Sequence, residues 1–450
     1  MRMRRCNWGD KTRLTVRPAN GRHARRIYSA ASVAGLSAVL VGTLLSFARA
    51  AAPVTSSGVT GLWDATVQIG ALQVPFKFGI EAGQANAVGW FFNGKEHVSS
   101  TDGSFDGKRL VLNFASYAKR LDARLTADGT LEGVYGPTAP GSTVPPYIFH
   151  AHRVAARKTA TPEKAPDIAG LWIVPAQSEK AGEKAWRLIV SQSGVQFAAV
   201  ILRVDGDTGA LTGTWSNGKV LLSHFDGARP SVIELSPAAD GNLHLLLRSR
   251  SGADVTLSAY RSLQARSRGL PEAADPALHT KVRDPQQPFQ FSFPDLNGHT
   301  VSSTDRRFRG KVLVVDIGGS WCPNCHDEAP FLESLYKKYR ARGLEIVTLS
   351  FEEPEQLANP VQLRAFTQQF GLTYTVLLAG TPDQLHMRLP QAVGLDAYPT
   401  TFFVGRDGRV RAVHAGFAAP ATGVFNTNLK KDFTTRIEQL LAERYVAANR

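Results

Sequence analysis

Cys322 and Cys325 are separated by Pro-Asn and preceded by Trp321. Apolar residues predict a buried strand over residues 311–317, directly before this motif, and helical spacing predicts an amphipathic helix over residues 326–342 after it. The N-terminal end of a helix presents free N–H groups and positive dipole charge, which favour a thiolate. A Cys-x-x-Cys motif at a strand–helix junction therefore indicates thiol–disulfide redox chemistry.

Other chemistries use similar motifs. With His326, the motif also spells the Cys-x-x-Cys-His of covalent haem attachment, but Met387 is the only methionine in this part of the chain that could act as a second axial ligand. We therefore expect no haem and place His326 on the helix surface. Zinc is disfavoured because there is no second cysteine pair, and a peroxiredoxin site is disfavoured because it would use a lone cysteine preceded by threonine. The expected redox group is the Cys322–Cys325 disulfide, with no other cofactor and no metal.

The net charge of +14 could suggest a nucleic-acid partner, but ten of the Lys/Arg residues lie within residues 1–50, beside a single acidic residue. No basic stripe interleaved with aromatic residues follows, so nucleic-acid binding is not expected. Basic residues, the apolar stretch 27–47 and a small-residue site ending at Ala50 are typical of an export signal. The alternative is a retained membrane anchor, because a spanning helix needs about 20 residues. Either alternative predicts a periplasmic or exported protein, and one cysteine pair suits an oxidising compartment.

Residues 58–262 alternate apolar and polar residues between turn dipeptides, which predicts antiparallel strands. Gly-Leu-Trp at residues 61–63 recurs at residues 170–172, and Ser-Phe-Asp-Gly at residues 104–107 recurs as His-Phe-Asp-Gly at residues 224–227. The repeats predict two β-rich units, residues 58–157 and 166–262, each a barrel or a sandwich. Trp63, Trp90, Trp172 and Trp215 are expected to be core residues rather than ligand-stacking groups. The composition of residues 263–288 suits a linker.

From residue 289, predicted strands alternate with helices. This part resembles the TlpA/ResA-type family of thioredoxin-like thiol–disulfide oxidoreductases. The matching segments are Phe-Pro-Asp-Leu-Asn-Gly at 293–298, Gly-Lys-Val at 310–312, Trp-Cys-Pro-Asn-Cys at 321–325, Glu-Ala-Pro-Phe-Leu at 328–332 and Tyr-Pro-Thr at 398–400. The resemblance implies an α/β thioredoxin-like domain over residues 289–450. The predicted fold class is therefore multidomain, with a tandem antiparallel β module followed by this domain.

The resemblance also implies roles for individual residues. Cys322 would be the exposed nucleophile and Cys325 the residue that resolves the mixed disulfide. Pro399 would be a cis proline lying against the cysteine pair, with the backbone at Tyr398 pairing with the substrate chain. Trp321 would shield the pair.

Acidic residues are candidates for proton transfer. Asp316 lies six residues before Cys322, where thioredoxin itself has a buried aspartate that helps to move the proton of the resolving cysteine. Burial in an apolar strand would raise its pKa toward neutrality; the alternative is a strand-end carboxylate that faces solvent. Glu352 or Glu353 is a candidate for a further acidic group near the cysteines.

The predicted function is an exported thiol–disulfide oxidoreductase that reduces protein disulfides, with protein thiols and disulfides of the cell envelope as partners. The resemblance adds an upstream electron donor and a role in cytochrome c maturation. The rival interpretation is an envelope protein whose β module binds a ligand or acts as an anchor, with an auxiliary redox domain.

Overall fold

The computed structural model describes residues 58–139, 142, 144–154 and 163–444. The predicted signal or anchor, with Cys6 and the apolar stretch 27–47, lies outside the described residues, as does most of the predicted boundary between the two β units. Among the helices in the described part of the chain, none is long and apolar enough to cross a membrane.

The first β unit is a nine-stranded antiparallel meander. Its sheet order is β4-β3-β2-β1-β9-β8-β7-β6-β5, so the first strand pairs with the last. The predicted alternation is seen in β6, where Leu110, Leu112 and Phe114 are buried. The strands are β1 (Gly61–Ile69), β2 (Leu72–Ala82), β3 (Ala87–Asn93), β4 (Glu96–Ser99), β5 (Asp102–Phe105), β6 (Arg109–Phe114), β7 (Lys119–Leu125), β8 (Leu131–Pro137) and β9 (Tyr147–Arg153).

The second β unit closes on itself. Its strands are β10 (Gly170–Pro175), β11 (Ala185–Ser193), β12 (Gln196–Arg203), β13 (Gly206–Asp207), β14 (Leu211–Ser216), β15 (Lys219–His224), β16 (Ser231–Pro237), β17 (Leu243–Leu247) and β18 (Val255–Arg261). β10 pairs with both β11 and β18, and β12 pairs with both β11 and β14. Closure satisfies every sheet edge except that of the short β13 and makes this unit a barrel.

The sequence repeat corresponds to a repeated structural motif. The indole nitrogens of Trp63 and Trp172 donate to the carbonyl four residues earlier, at 2.9 and 3.0 Å. An arginine from the last strand of each unit covers the ring, Arg153 at 4.5 Å and Arg261 at 3.9 Å from the ring centroid. Both tryptophans are buried in the core, as the sequence predicts, and so is Trp215. The same expectation is wrong for Trp90, which is only partly buried because it alternates with the buried Phe91 along β3.

The second repeated motif joins the two units. Phe225 follows β15 and packs into the core of the first unit, with its ring 4.8 Å from that of Phe76 and 5.1 Å from that of Phe91. The next residue, Asp226, accepts hydrogen bonds from the backbone N–H groups of Ala228 and Arg229. This turn therefore fixes Arg229 beside the interface with the C-terminal domain.

The predicted linker has structure of its own. It contains α1 (Ser262–Ser267), α2 (Pro276–His279) and β19 (Lys281–Val282). Asp275 caps α2 by accepting a hydrogen bond from the Ala277 N–H.

The C-terminal domain has the α/β order that the sequence predicts. Its strands are β20 (Ser292–Pro294), β21 (Thr300–Ser302), β22 (Val312–Gly318), β23 (Leu344–Phe351), β24 (Thr375–Gly380), β25 (Ala392–Val393), β26 (Thr400–Val404) and β27 (Val410–Ala415). Its helices are α3 (Pro323–Tyr339), α4 (Val361–Gln369), α5 (Leu385–Arg388) and α6 (Val424–Ala442). The central sheet has the order β24-β23-β22-β26-β27, and the short β25 pairs with β19. The parallel strands β22 and β23 lie at its centre, so β22 delivers the cysteine motif from the middle of the sheet.

Alternation along β22 divides its side chains between two cores. Val312 and Val314 pack under α3, α4 and α6, whereas Leu313, Val315 and Ile317 face the opposite core. This alternation places the Asp316 side chain on the face that α3 covers.

Candidate functional site

The cysteine motif forms the N-terminus of α3. Cys322 is the N-cap residue, Pro323 occupies the first turn, and the Cys322 Sγ accepts a hydrogen bond from the Cys325 N–H at 3.2 Å. Both cysteines are free thiols and are buried. The expected exposure of Cys322 is therefore wrong, because the Tyr398 loop and the second β unit pack against the motif. A thiolate at Cys322 would thus be stabilised by a backbone donor and by the positive end of the helix.

A cis peptide bond between Tyr398 and Pro399 faces this N-terminus. The Cys322 Sγ lies 3.6 Å from the Tyr398 carbonyl oxygen. The Trp321 indole donates to the Phe351 carbonyl at 2.8 Å, and its ring meets the Tyr398 ring edge-on at 5.2 Å. The structure therefore brings together the predicted nucleophile, the proline loop and the predicted shielding tryptophan.

Cys325 lies one turn into α3, beneath Cys322. The pKa of the Cys325 thiol is well above its ordinary value. Burial is the main cause, and the neighbouring Cys322 sulfur is the second. This thiol therefore needs a nearby proton acceptor before it can act as a nucleophile.

Asp316 is buried and lies close to that thiol. The Oδ2 atom of Asp316 accepts from the Thr348 hydroxyl at 2.8 Å. The Asp316 carboxyl also lies within hydrogen-bonding reach of the Glu328 carboxyl, so the two can share a proton. The Cys325 thiol and the Asp316 carboxylate border the same space beside Gly318: a Cβ at Gly318 would lie 3.4 Å from the Cys325 Sγ and 3.6 Å from the Asp316 Oδ2. Burial raises the Asp316 pKa to about 7, so this carboxyl can gain or lose a proton near neutrality.

A second buried carboxyl, Glu328, was not assigned a role from the sequence. Its Oε1 accepts from the Thr401 hydroxyl at 2.9 Å, and its carboxyl can form a hydrogen bond with that of Asp316 when one of the two is protonated. Burial and then the Asp316 charge raise the Glu328 pKa well above its ordinary value. The signal was its position three residues after Cys325, which puts both on one face of the helix.

The candidates for the further acidic group lie in other settings. The Glu352 carboxylate is buried but accepts from the Ser320 N–H at 2.8 Å, the Ser320 hydroxyl at 2.5 Å and the Ser350 hydroxyl at 2.6 Å. These hydrogen bonds occupy both oxygens of the Glu352 carboxylate and fix the loop that precedes the cysteines. Glu353 is exposed.

The expected surface position of His326 is wrong. The side chain is buried: its Nε2 lies 2.7 Å from the Ser320 carbonyl oxygen, and its ring stacks on Tyr117 of the first β unit at 4.2 Å. Burial lowers the His326 pKa to about 4. The histidine is therefore a neutral packing residue between two domains, and contact with a residue 209 positions earlier in the chain explains why helix periodicity did not indicate it.

Arg229 of the second β unit also reaches the cysteine motif. Its Nε bonds to Asp226 at 2.7 Å, and its Nη1 donates to the Asn324 Oδ1 at 2.8 Å and lies 3.0 Å from the Asp327 Oδ2. Asn324 stands between the two cysteines, so the β module contacts the redox motif itself.

Arg229→Ala should lower the free energy of unfolding by about 3–5 kcal/mol, because it removes the guanidinium that pairs with the fully buried Asp226 carboxylate and leaves it only His224 and two backbone N–H groups. Arg109→Ala is the matched control. Arg109 follows Asp106 in the repeated turn but makes an exposed ion pair with Asp122, which contributes little to stability. Urea unfolding followed by tryptophan fluorescence measures both; equal effects of the two substitutions would contradict the buried network.

Asp316→Asn should stabilise the reduced protein at alkaline pH. Because the folded-state pKa of Asp316 is raised from 3.8 to about 7, the proton on this carboxyl favours folding at low pH, and that stability is lost as the pH rises through about 7. The free energy of unfolding of the variant should exceed that of the wild type by an amount that grows between about pH 4 and pH 7. This difference should reach on the order of 4 kcal/mol at most. Urea unfolding at several pH values tests this, with the exposed Asp383→Asn as control; a pH-independent difference would contradict the buried, protonated state.

The part of the chain that carries this site is similar in sequence to known proteins. The AhpC/TSA family model matches residues 285–413. Thiol-disulfide oxidoreductase ResA of Geobacillus thermodenitrificans is 30% identical over 126 residues, covering 28% of this chain and 66% of the relative. ResA of Halalkalibacterium halodurans is 28% identical over 135 residues, covering 30% of this chain and 70% of the relative.

A solved thiol:disulfide interchange protein of the thioredoxin family, from Chlorobium tepidum, is 22% identical; it covers 38% of this chain and 100% of its own, with a TM-score of 0.28. The chain thus spans about two thirds of the curated relatives, all within its C-terminal part. Residues 285–413 therefore belong to a thioredoxin-like domain of the AhpC/TSA family, similar over that segment to the ResA thiol–disulfide oxidoreductases.

Proposed function

We propose that the chain is a thiol–disulfide oxidoreductase that reduces protein disulfides through Cys322 and Cys325. The observation that carries the proposal is the Cys322 thiol, held at the N-terminus of α3 by the Cys325 N–H and facing the cis proline loop. Similarity to the ResA relatives over the same segment supports it.

In the first step, the Cys322 thiolate attacks one sulfur of the partner disulfide. A bond forms between Cys322 and that sulfur, the partner's S–S bond breaks, and its other sulfur leaves as a thiolate that takes up a proton. The Cys325 N–H and the dipole of α3 stabilise the attacking thiolate.

In the second step, Cys325 loses its proton and attacks the Cys322 sulfur. The mixed disulfide breaks, the partner leaves with both of its cysteines reduced, and the chain holds a Cys322–Cys325 disulfide. Asp316 accepts the Cys325 proton, and Glu328 shares the buried acidic site. An upstream dithiol donor then reduces the disulfide and completes the cycle.

The proposal extends to the location of the protein. Residues 1–50 would direct export, either as a cleaved signal or with residues 27–47 kept as an anchor. Partners would then be disulfide-bearing proteins of the cell envelope, including those that mature c-type cytochromes, as the resemblance to the TlpA/ResA-type family implies.

The rival ligand-binding role of the β module gains no support from the interior of the second barrel. Buried side chains that include Trp172, Leu188, Leu211 and Leu245 fill that core. Among the residues that the structure describes, no group of acidic, histidine and cysteine side chains could hold a metal ion.

Insulin reduction tests the proposed activity. The reduced full-length chain, supplied with dithiothreitol, should accelerate insulin precipitation above the rate with dithiothreitol alone. A rate equal to that background would contradict the proposal. Consumption of hydrogen peroxide, measured in parallel, would instead indicate a peroxidase.

A further inference from the structure

A turn of the second barrel lies against the cysteine-bearing surface of the thioredoxin-like domain. We call it the covering turn and define it as residues 204–206, from the end of β12 to the first residue of β13. Its Asp205 carbonyl accepts a hydrogen bond from the Asn324 side chain at 3.0 Å. The residue between the two cysteines is therefore bonded to the barrel.

The covering turn also contacts the two loops beside the cysteines. Val204 packs with Ala397, which directly precedes the Tyr398–Pro399 bond, and with Ala415 at the end of β27. The next residue, Gly416, approaches the turn so closely that a Cβ there would lie 2.5 Å from the Val204 carbonyl oxygen. The covering turn therefore contacts three segments: the cysteine motif at Asn324, the proline loop at Ala397, and Ala415 with Gly416.

Polar contacts hold the turn in place. The Val204 N–H donates to the buried Glu183 carboxylate at 2.7 Å, and the carboxylate of Asp207, just after the turn, accepts from the Ala419 N–H at 2.7 Å. The Lys180 ammonium donates to the Asp396 carbonyl, near the proline loop. Together with the hydrogen bond from Arg229 to Asn324, these contacts join the second barrel to both the cysteine motif and the proline loop.

The consequence concerns access to the nucleophile. Only 3% of Cys322 is exposed, yet a sulfur must come into bonding distance for thiol–disulfide exchange. We propose that residues 204–206 cover the redox site and must move away before a disulfide-bearing polypeptide can reach Cys322. This inference rests on the proposed function only for the identity of the substrate, because the accessibility of the thiol is independent of turnover.

The close approach depends on Gly206, whose φ is +120°. A Cβ at this position would lie 2.2 Å from the Asn324 Nδ2 and 3.0 Å from the Phe417 carbonyl oxygen. Gly206→Ala is therefore a wedge between the turn and the site. Gly241→Ala is the matched control, since Gly241 has φ +80° in another turn of the same barrel and a Cβ there would meet nothing within 4 Å.

The experiment measures modification of Cys322 in the reduced full-length chain by a maleimide that carries a polyethylene-glycol chain, with the site identified by peptide mass spectrometry. We expect Gly206→Ala to react about tenfold faster than the wild type, since the reactive fraction is the open fraction. Gly241→Ala should react at the wild-type rate. Equal rates for Gly206→Ala and the wild type would overturn the proposal.

Two further measurements keep the test independent of the folding of one variant. Lys180→Ala, a substitution at the surface, should also speed the modification. The folded wild type should react much more slowly than the same chain in urea, and equal rates would overturn the cover without any substitution. Insulin reduction is measured separately: its absence in the wild type and in every variant would contradict the proposed function, whereas the maleimide rates alone decide whether the turn covers the site.

Discussion

Cys322→Ser should lower insulin reduction by the full-length chain to the uncatalysed background. Its hydroxyl would occupy the position of the Cys322 Sγ, beside the Cys325 N–H and the Tyr398 carbonyl, but it is not ionised near neutral pH and forms no mixed disulfide. The measurement is the initial rate of insulin precipitation at fixed dithiothreitol concentration.

Cys6→Ser is the matched control for this variant, because it makes the same substitution at the remaining cysteine of the chain. It should retain the wild-type rate. If Cys322→Ser kept that rate as well, Cys322 would not be the nucleophile; if Cys6→Ser lost it, the pair at 322 and 325 would not act alone.

Asp316→Asn should slow the release of the mixed disulfide by about 10²-fold or more, the usual contribution of general acid–base catalysis. The amide cannot accept the Cys325 proton, whose pKa is raised by burial. In the wild type the release rate should rise with pH around the Asp316 pKa of about 7, since only the ionised carboxylate accepts the proton. Quenched-flow mass spectrometry of one turnover with a disulfide peptide measures this step.

Two companion variants define what Asp316 contributes. The exposed Asp383→Asn should leave the release rate unchanged. Glu328→Gln should also slow release. Its effect and that of Asp316→Asn should not be additive, because each carboxyl shifts the pKa of the other. An unchanged rate and pH profile in Asp316→Asn would remove Asp316 from the proton path.

The redox domain could be predicted because its signals are local. A continuous apolar strand, a Cys-x-x-Cys motif and a helical pattern stand next to one another in the chain, so periodicity alone placed β22 and α3. The motif segments near residues 294, 310 and 399 then supplied the family resemblance. The β repeats were also found in sequence, because each unit repeats its own turn and tryptophan motifs.

The missed features depend on contacts between distant parts of the chain. His326 is buried by Tyr117 of the first β unit, and Arg229 reaches Asn324 across 95 residues. A local pattern carries no information about such partners: the repeated turn gave Arg109 and Arg229 the same sequence context, yet one is exposed and the other lies at the redox site. Glu328 lies within the Glu-Ala-Pro-Phe-Leu segment, but its role depends on its contact with Asp316, where α3 packs on β22.

The central claim is that Cys322 forms the covalent link to the partner. The most direct test uses the full-length Cys325→Ser chain, which cannot resolve the intermediate. After reaction with a disulfide peptide, non-reducing peptide mapping by mass spectrometry should find the peptide attached to Cys322, and dithiothreitol should release it. Attachment at Cys6, or no adduct, would contradict the account.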